Sequence, residues 1–133
     1  MEYGLIGEKL GHSFSKIIHE MIADYKYELK EIKKEDLDSF MKSKGFKCIN
    51  VTIPYKKSVL PYLDFISEEA KKIGCVNTII NKDGKLYGYN TDYYGLKLLI
   101  KKQGLDLTNK NVLVLGTGGT SLTAKAVLSD LNV

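Results

Sequence analysis

Apolar residues along the chain alternate between two rhythms. Residues 3–6 form a short strand-like run that Gly7 stops. Ile17, Ile18, Met21 and Ile22 then recur at helical spacing, which predicts a helix over 15–24 with Ser13 or Ser15 near its cap. A second strand is expected over 27–32. The next helix should cover 34–44, with Leu37, Phe40 and Met41 on one side and Gly45 as its stop. Residues 46–53 are rich in β-branched side chains and predict a buried strand ending at Pro54. Short helices follow over 57–63 and 67–73. Residues 76–81 and 85–90 flank Lys82-Asp83-Gly84, a turn sequence that predicts a hairpin. Tyr93, Leu96, Leu99 and Ile100 mark a helix over 92–102, and Gly104 ends it.

Beyond a polar stretch at 106–110 the texture changes. An apolar run at 111–115 predicts a strand, Gly116-Thr117-Gly118-Gly119-Thr120 a turn, and 121–131 a helix. Strands and helices thus alternate throughout, which is the mark of an α/β fold. One strand and one helix cannot bury both of their faces. On this reading Val112, Leu113, Val114 and the apolar side of the last helix (Ala124, Val127, Leu128, Leu131) lack partners. The expectation is a piece of a longer protein, with self-association or poor order at its tail.

Composition narrows the chemistry. The chain has 133 residues and a formal charge of +4, from 20 basic and 16 acidic side chains. Every basic side chain is a lysine, and the lysines are interleaved with acids, as in Lys34-Glu35-Asp36. Without arginine, reading of guanine edges and stacking on bases are disfavoured, so nucleic acid is not an expected partner. The same absence removes the bidentate clamp for carboxylate or phosphate. A bound anion must be held by hydroxyls, backbone N–H groups or lysine. No apolar run nears the roughly 18 residues of a membrane span, so no membrane partner is expected. The opening Met1-Glu2-Tyr3-Gly4-Leu5 does not resemble a signal peptide. Cys48 and Cys75 stand far apart and form neither a disulfide framework nor a CxxC pair. Reduced thiols and a cytoplasmic location follow, and no metal site is expected.

Four segments carry candidate chemistry, each with a plainer account beside it. Gly116, Gly118 and Gly119 lie between an apolar run and a helix, where backbone N–H groups and the helix dipole suit an anion. A tight turn without a ligand explains them equally well. Ser13 and Ser15, two residues apart, can present both hydroxyls to one carboxylate. A helix cap needs only one of them. In Asn50-Val51-Thr52-Ile53-Pro54-Tyr55-Lys56, a buried strand would deliver Thr52 and Lys56 at its carboxyl end, and Lys56 could give a proton to a carbonyl. Alternatively Lys56 is a surface lysine opening a helix. Asn77 could bond ligand hydroxyls together with Asp92, or Asn90 or Asp92 could simply cap the helix that follows. His12 reads as an orienting loop residue, and His19 is assigned no role.

Taken in order, five segments resemble the shikimate dehydrogenase family. They are Gly11-His12-Ser13-Phe14-Ser15-Lys16, the 50–56 segment quoted above, Gly74-Cys75-Val76-Asn77-Thr78, Asn90-Thr91-Asp92-Tyr93-Tyr94-Gly95 and Gly116-Thr117-Gly118-Gly119-Thr120-Ser121. The resemblance implies a mixed-sheet, three-layer substrate-binding domain over 1–104. Residues 105–133 would then be the first strand, turn and helix of a Rossmann-type domain. It implies NADP-dependent, reversible reduction of 3-dehydroshikimate to shikimate, a step of chorismate and aromatic amino acid biosynthesis. By the same resemblance Ser13 and Ser15 hold the substrate carboxylate. Thr52, Asn77 and Asp92 contact its carboxylate and ring hydroxyls, Lys56 and Asp92 form the catalytic pair, and Gly116, Thr117, Gly118, Gly119, Thr120 and Ser121 bind the cofactor. Leu122 departs from the family pattern, which has a basic residue there. The 133-residue chain alone is expected to turn over negligibly. A non-catalytic shikimate-binding module, or a relative that prefers quinate or NAD, is the alternative.

Overall fold

The computed structural model describes residues 1–132. A six-stranded sheet forms its centre, built from β1 (Tyr3–Gly7), β2 (Tyr27–Glu31), β3 (Cys48–Val51), β4 (Phe65–Ile66), β5 (Thr78–Lys82) and β6 (Lys85–Tyr89), in the spatial order β2-β1-β3-β5-β6-β4. β1, β2 and β3 are mutually parallel, whereas β5 runs antiparallel to both β3 and β6. The helices are α1 (Ser15–Ile22), α2 (Leu37–Ser43), α3 (Glu68–Ile73), α4 (Thr91–Lys102) and α5 (Gly119–Asp130).

Strand alternation assigns each sheet face its own task. Ile6, Ile49, Val51, Ile79 and Leu86 point to one face and form the main core with Leu37 and Met41 of α2 and Ala70 of α3. Leu5 and Tyr27 point the other way and form a smaller cluster with Leu10. Asn50 shares that second face, because it stands opposite Leu5 in the β1–β3 register. Parallel crossovers are right-handed. The chain steps from β1 outward to β2, then back across β1 to β3, so its two crossover helices must take opposite faces. α1 accordingly packs on β1 and β2, while α2 lies in the main core. Helices on both faces of a mixed sheet give the three layers that the family resemblance implies.

The hairpin forms as predicted, with Asp83 (φ 51°) and Gly84 (φ 79°) both left-handed at its tip. The structure differs from the sequence reading at five points. The 34–44 helix opens as a 3₁₀ turn at Lys34–Asp36, and Lys44 rather than Gly45 takes the left-handed closing conformation. Residues 57–63 are turns and a 3₁₀ segment at Leu60–Tyr62, since Pro61 lacks the N–H that an α-helix would use there. β4 is only two residues long and too short to show a pattern. Residues 111–115 are not a strand, because no neighbouring strand offers them a ladder, and Leu113 and Leu115 stand exposed.

The last correction concerns α5, which is not left without partners. Val127 and Thr123 are buried, the helix packs on α3 and α4, and Asp130 accepts hydrogen bonds from Lys72 and Tyr93. The sequence placed α5 with a separate unit and so overlooked this docking.

Gly7 ends β1 where space is tightest beside the loops. A methyl group there would lie 2.8 Å from both Leu10 Cδ2 and Thr52 Cγ2, and 3.2 Å from the Ile53 carbonyl oxygen. Gly7→Ala is expected to lower stability by about 1–3 kcal/mol, read as a reduced denaturant midpoint at unchanged slope.

Candidate functional site

Strand order reverses at β1, with β2 on one side and β3 on the other, and ligands of open α/β sheets settle beside the carboxyl ends of strands at such a point. The segment after β1 and the one after β3 both border a cleft of about 440 Å3 there. The first contributes Gly11, His12, Ser13 and Ser15, and the second Thr52 and Lys56. Because β5 runs backwards, its amino end meets the carboxyl ends of β1 and β3, which brings in Asn77. Asp92 arrives from the first turn of α4. All six residues that the sequence marked for substrate thus line one cleft.

Their orientations are fixed by bonds that can be made in only one sense. The Thr91 N–H donates to Asn77 Oδ1 over 2.8 Å, so the amide nitrogen of Asn77 must face the other way. It donates to Asp92 Oδ1 at 2.9 Å. The second carboxylate oxygen, Asp92 Oδ2, accepts from Lys56 Nζ at 2.5 Å. The Lys56 side chain is only 13% exposed and that of Asp92 37%. The ammonium is thereby held in a partly dry place, where charge-assisted bonds are stronger than in water. Ser13 Oγ accepts the Ser15 N–H at 3.2 Å, which brings the two serines together at the start of α1. Asn90, not Asp92, caps α4, through the Tyr93 N–H.

Beneath the cleft runs a second tier that the sequence did not reveal. Tyr27 donates to Asn50 Oδ1 at 2.6 Å, and Asn50 donates to Thr78 Oγ1 at 3.1 Å. Thr78 in turn donates to Asn77 Oδ1 at 3.1 Å. Burial pushes the Tyr27 hydroxyl far above its ordinary range, so it stays a proton donor. His19 also lines the cleft. Its ring stacks on Tyr27 at 4.0 Å, and its Nδ1 shares a 2.5 Å hydrogen bond with the Tyr25 hydroxyl. Its position four residues after Ser15, on the same helix face, was the available clue.

A second cleft, about 560 Å3, lies on the other side of Lys56 and is lined by Gly116, Gly118, Gly119, Thr120 and Ser121, with Val114 and Leu115. Thr117 is not part of its lining. Gly116 sits in the left-handed region (φ 125°), and the first turn of α5 carries no acidic residue to repel an anion. Lys56 and Lys57 supply the positive charge, and Ile53, Pro54 and Ala124 add to the apolar lining. Among the described residues no three His, Cys, Asp or Glu side chains gather as a metal site would require, and no helix is long and apolar enough to cross a membrane.

Comparison with known proteins gives the family and the fold. The family described as "Shikimate dehydrogenase substrate binding domain" matches residues 5–79. The NADP(+) shikimate dehydrogenase of Clostridium beijerinckii is 50% identical over 97% of this chain and 50% of that protein. Shikimate dehydrogenase 1 of Peptoclostridium difficile superposes with a TM-score of 0.92 at 45% identity, over the whole of this chain and 53% of that one. The shikimate 5-dehydrogenase of Thermus thermophilus, solved with NADP(H) and shikimate, gives a TM-score of 0.87 at 31% identity over 98% of this chain and 52% of its own. The chain spans about half the length of the curated relatives it matches.

Burial lowers the pKa of His19 below its ordinary 6.5. The unfolded chain therefore binds this proton first as pH falls, and stability that is intact above pH 6.5 declines below it. His19→Gln is expected to flatten this acid-side decline, measured as melting temperature at pH values of about 7.5, 6.5 and 5.5.

Proposed function

The chain belongs to the shikimate dehydrogenase family, and on that premise we propose that it supplies the substrate-binding half of an enzyme that reversibly reduces 3-dehydroshikimate to shikimate with NADP. The observation that carries this reading is the convergence of Ser13, Ser15, Thr52, Lys56, Asn77 and Asp92 on one cleft, with Lys56 and Asp92 in contact. Residues 1–104 are the substrate domain, and 105–133 open the nucleotide-binding one.

The roles follow from the chemistry of each group. In a chain without arginine, the Ser13 and Ser15 hydroxyls seat the substrate carboxylate. Thr52 and Asn77 bond its oxygens, and Asp92 accepts from ring hydroxyls. Ketone reduction needs a hydride at carbon and a proton at oxygen. The nicotinamide, when bound, supplies the hydride. Lys56 supplies the proton, and its positive charge stabilises the alkoxide as it forms. In the reverse direction the same nitrogen receives the proton. Asp92 holds the ammonium in line from the side that Asn77 leaves open.

The glycine-rich cleft suits the cofactor. Its backbone is unobstructed at Gly116 and Gly118, where nothing lies within 4 Å of an added methyl group, and it adjoins Lys56. Gly116, Gly118, Gly119, Thr120 and Ser121 would hold the diphosphate, and Thr117 would shape the turn. Leu122 offers no charge, so backbone N–H groups and lysine carry the attraction. Cys48 and Cys75 are both free thiols, in keeping with a cytoplasmic enzyme. The exposed Val112 and Leu113 are the surface through which copies of this chain would associate.

Calorimetric titration of the 133-residue chain with shikimate tests the assignment. Saturable binding is expected. Replacing both serines by alanine should weaken it about tenfold or more, the loss of at least 1.4 kcal/mol of charge-assisted bonding. Undiminished binding in that double variant, or preference for quinate, would overturn the carboxylate seat or the substrate respectively. Turnover of 3-dehydroshikimate with NADPH by this chain alone should be negligible.

A further inference from the structure

Asn90 is fully buried, and its side chain bonds to three separate parts of the fold. Its Oδ1 accepts the Tyr93 N–H at 3.2 Å. An N–H can only donate, so the carboxamide is fixed and its nitrogen must point the other way. That nitrogen lies 3.1 Å from the Cys75 carbonyl oxygen and 3.3 Å from the Thr123 hydroxyl of α5, with Cys75 Sγ at 3.4 Å. Thr123 is 1% exposed and donates its own proton to the Gly119 carbonyl over 3.2 Å, which leaves a lone pair for Asn90. The Cys75 thiol points to the same carbonyl at 3.6 Å.

Gly119 is where this cluster reaches Lys56. A methyl group on Gly119 would stand 3.2 Å from Lys56 Cδ and 3.4 Å from Lys56 Cβ, so the helix backbone forms one wall of the lysine's path. We propose that Asn90 is a positioning residue for Lys56: its amide ties Thr123 to the Cys75 loop and so holds the amino end of α5 against the lysine side chain. The inference deepens the reading above, in which Lys56 carries the proton. The far end of α5 has different ties, from Asp130 to Lys72 and Tyr93, and these are solvent-exposed and weak by nature.

Two variants of the 133-residue chain test the tie without any ligand. Thr123→Val keeps shape and removes the hydroxyl. Asn90→Ser keeps a capping oxygen for α4 but is too short to span to α5. In both, amide exchange at residues 121–123 should accelerate about tenfold or more while Ile79 and Leu86 remain protected. The Lys56 ammonium resonance in 1H–15N spectra should broaden or vanish as its proton exchange quickens. Thr123→Ser should restore both signals. Unchanged exchange and an unchanged Lys56 resonance in the two variants would overturn the proposal. So would acceleration spread evenly over the sheet, or failure of the serine to rescue. A negative shikimate titration beside a positive exchange result would sink the functional reading and leave this one standing.

Discussion

A single backbone N–H, that of Thr91, determines which way the site faces. It occupies the Asn77 carbonyl oxygen and so compels the amide nitrogen toward Asp92. Asp92 then presents its remaining oxygen to Lys56. Reverse that amide and two acceptors would confront each other at Asp92 Oδ1, and the carboxylate that holds Lys56 would lose its support. Preorganisation here is a matter of donor and acceptor count more than of packing, and it is complete before any ligand enters. Among the described residues no buried side-chain nitrogen or oxygen lacks a partner, so the arrangement costs the fold no unsatisfied group.

Chain reversal within the sheet supplies the second requirement. In a purely parallel sheet only the segments that follow strands reach the ligand end. Here β5 is antiparallel, so the residue before it, Asn77, arrives beside Thr52 and Lys56, which follow β3. Asp92 comes next because the hairpin returns β6 to the same end, and Asn90 caps a helix directly on leaving it. The polar tier of Tyr27, Asn50 and Thr78 occupies the face of the sheet opposite the main core, which confines polar chemistry to one side.

Much of this was legible beforehand, for identifiable reasons. Helical and strand periodicity located most elements, including α1, whose Ile17, Ile18, Met21 and Ile22 recur at helical spacing although they stand exposed, and the hairpin was readable because Asp-Gly is among the few pairs that take two left-handed residues cheaply. The residues that line the first cleft were readable through ordered motifs rather than through any one position. His19, Asn50 and the Tyr27 hydroxyl escaped notice because their roles depend on partners far away in sequence. Local pattern also predicted a strand at 111–115 where ladder pairing, a nonlocal property, decided otherwise. It missed the docking of α5 because buried threonine and asparagine look like surface residues until their partners are known.

The tip of the β5–β6 hairpin has a practical consequence. Asp83 and Gly84 are exposed, and they lie at the opposite end of β5 from Thr78 and the cleft. Cargo grafted there, such as a fluorophore or a short peptide tag, would sit on strands that the sheet holds from both sides, at the end away from the first cleft. The molecule thus carries its own handle for surface immobilisation, pointing away from the place where recognition happens.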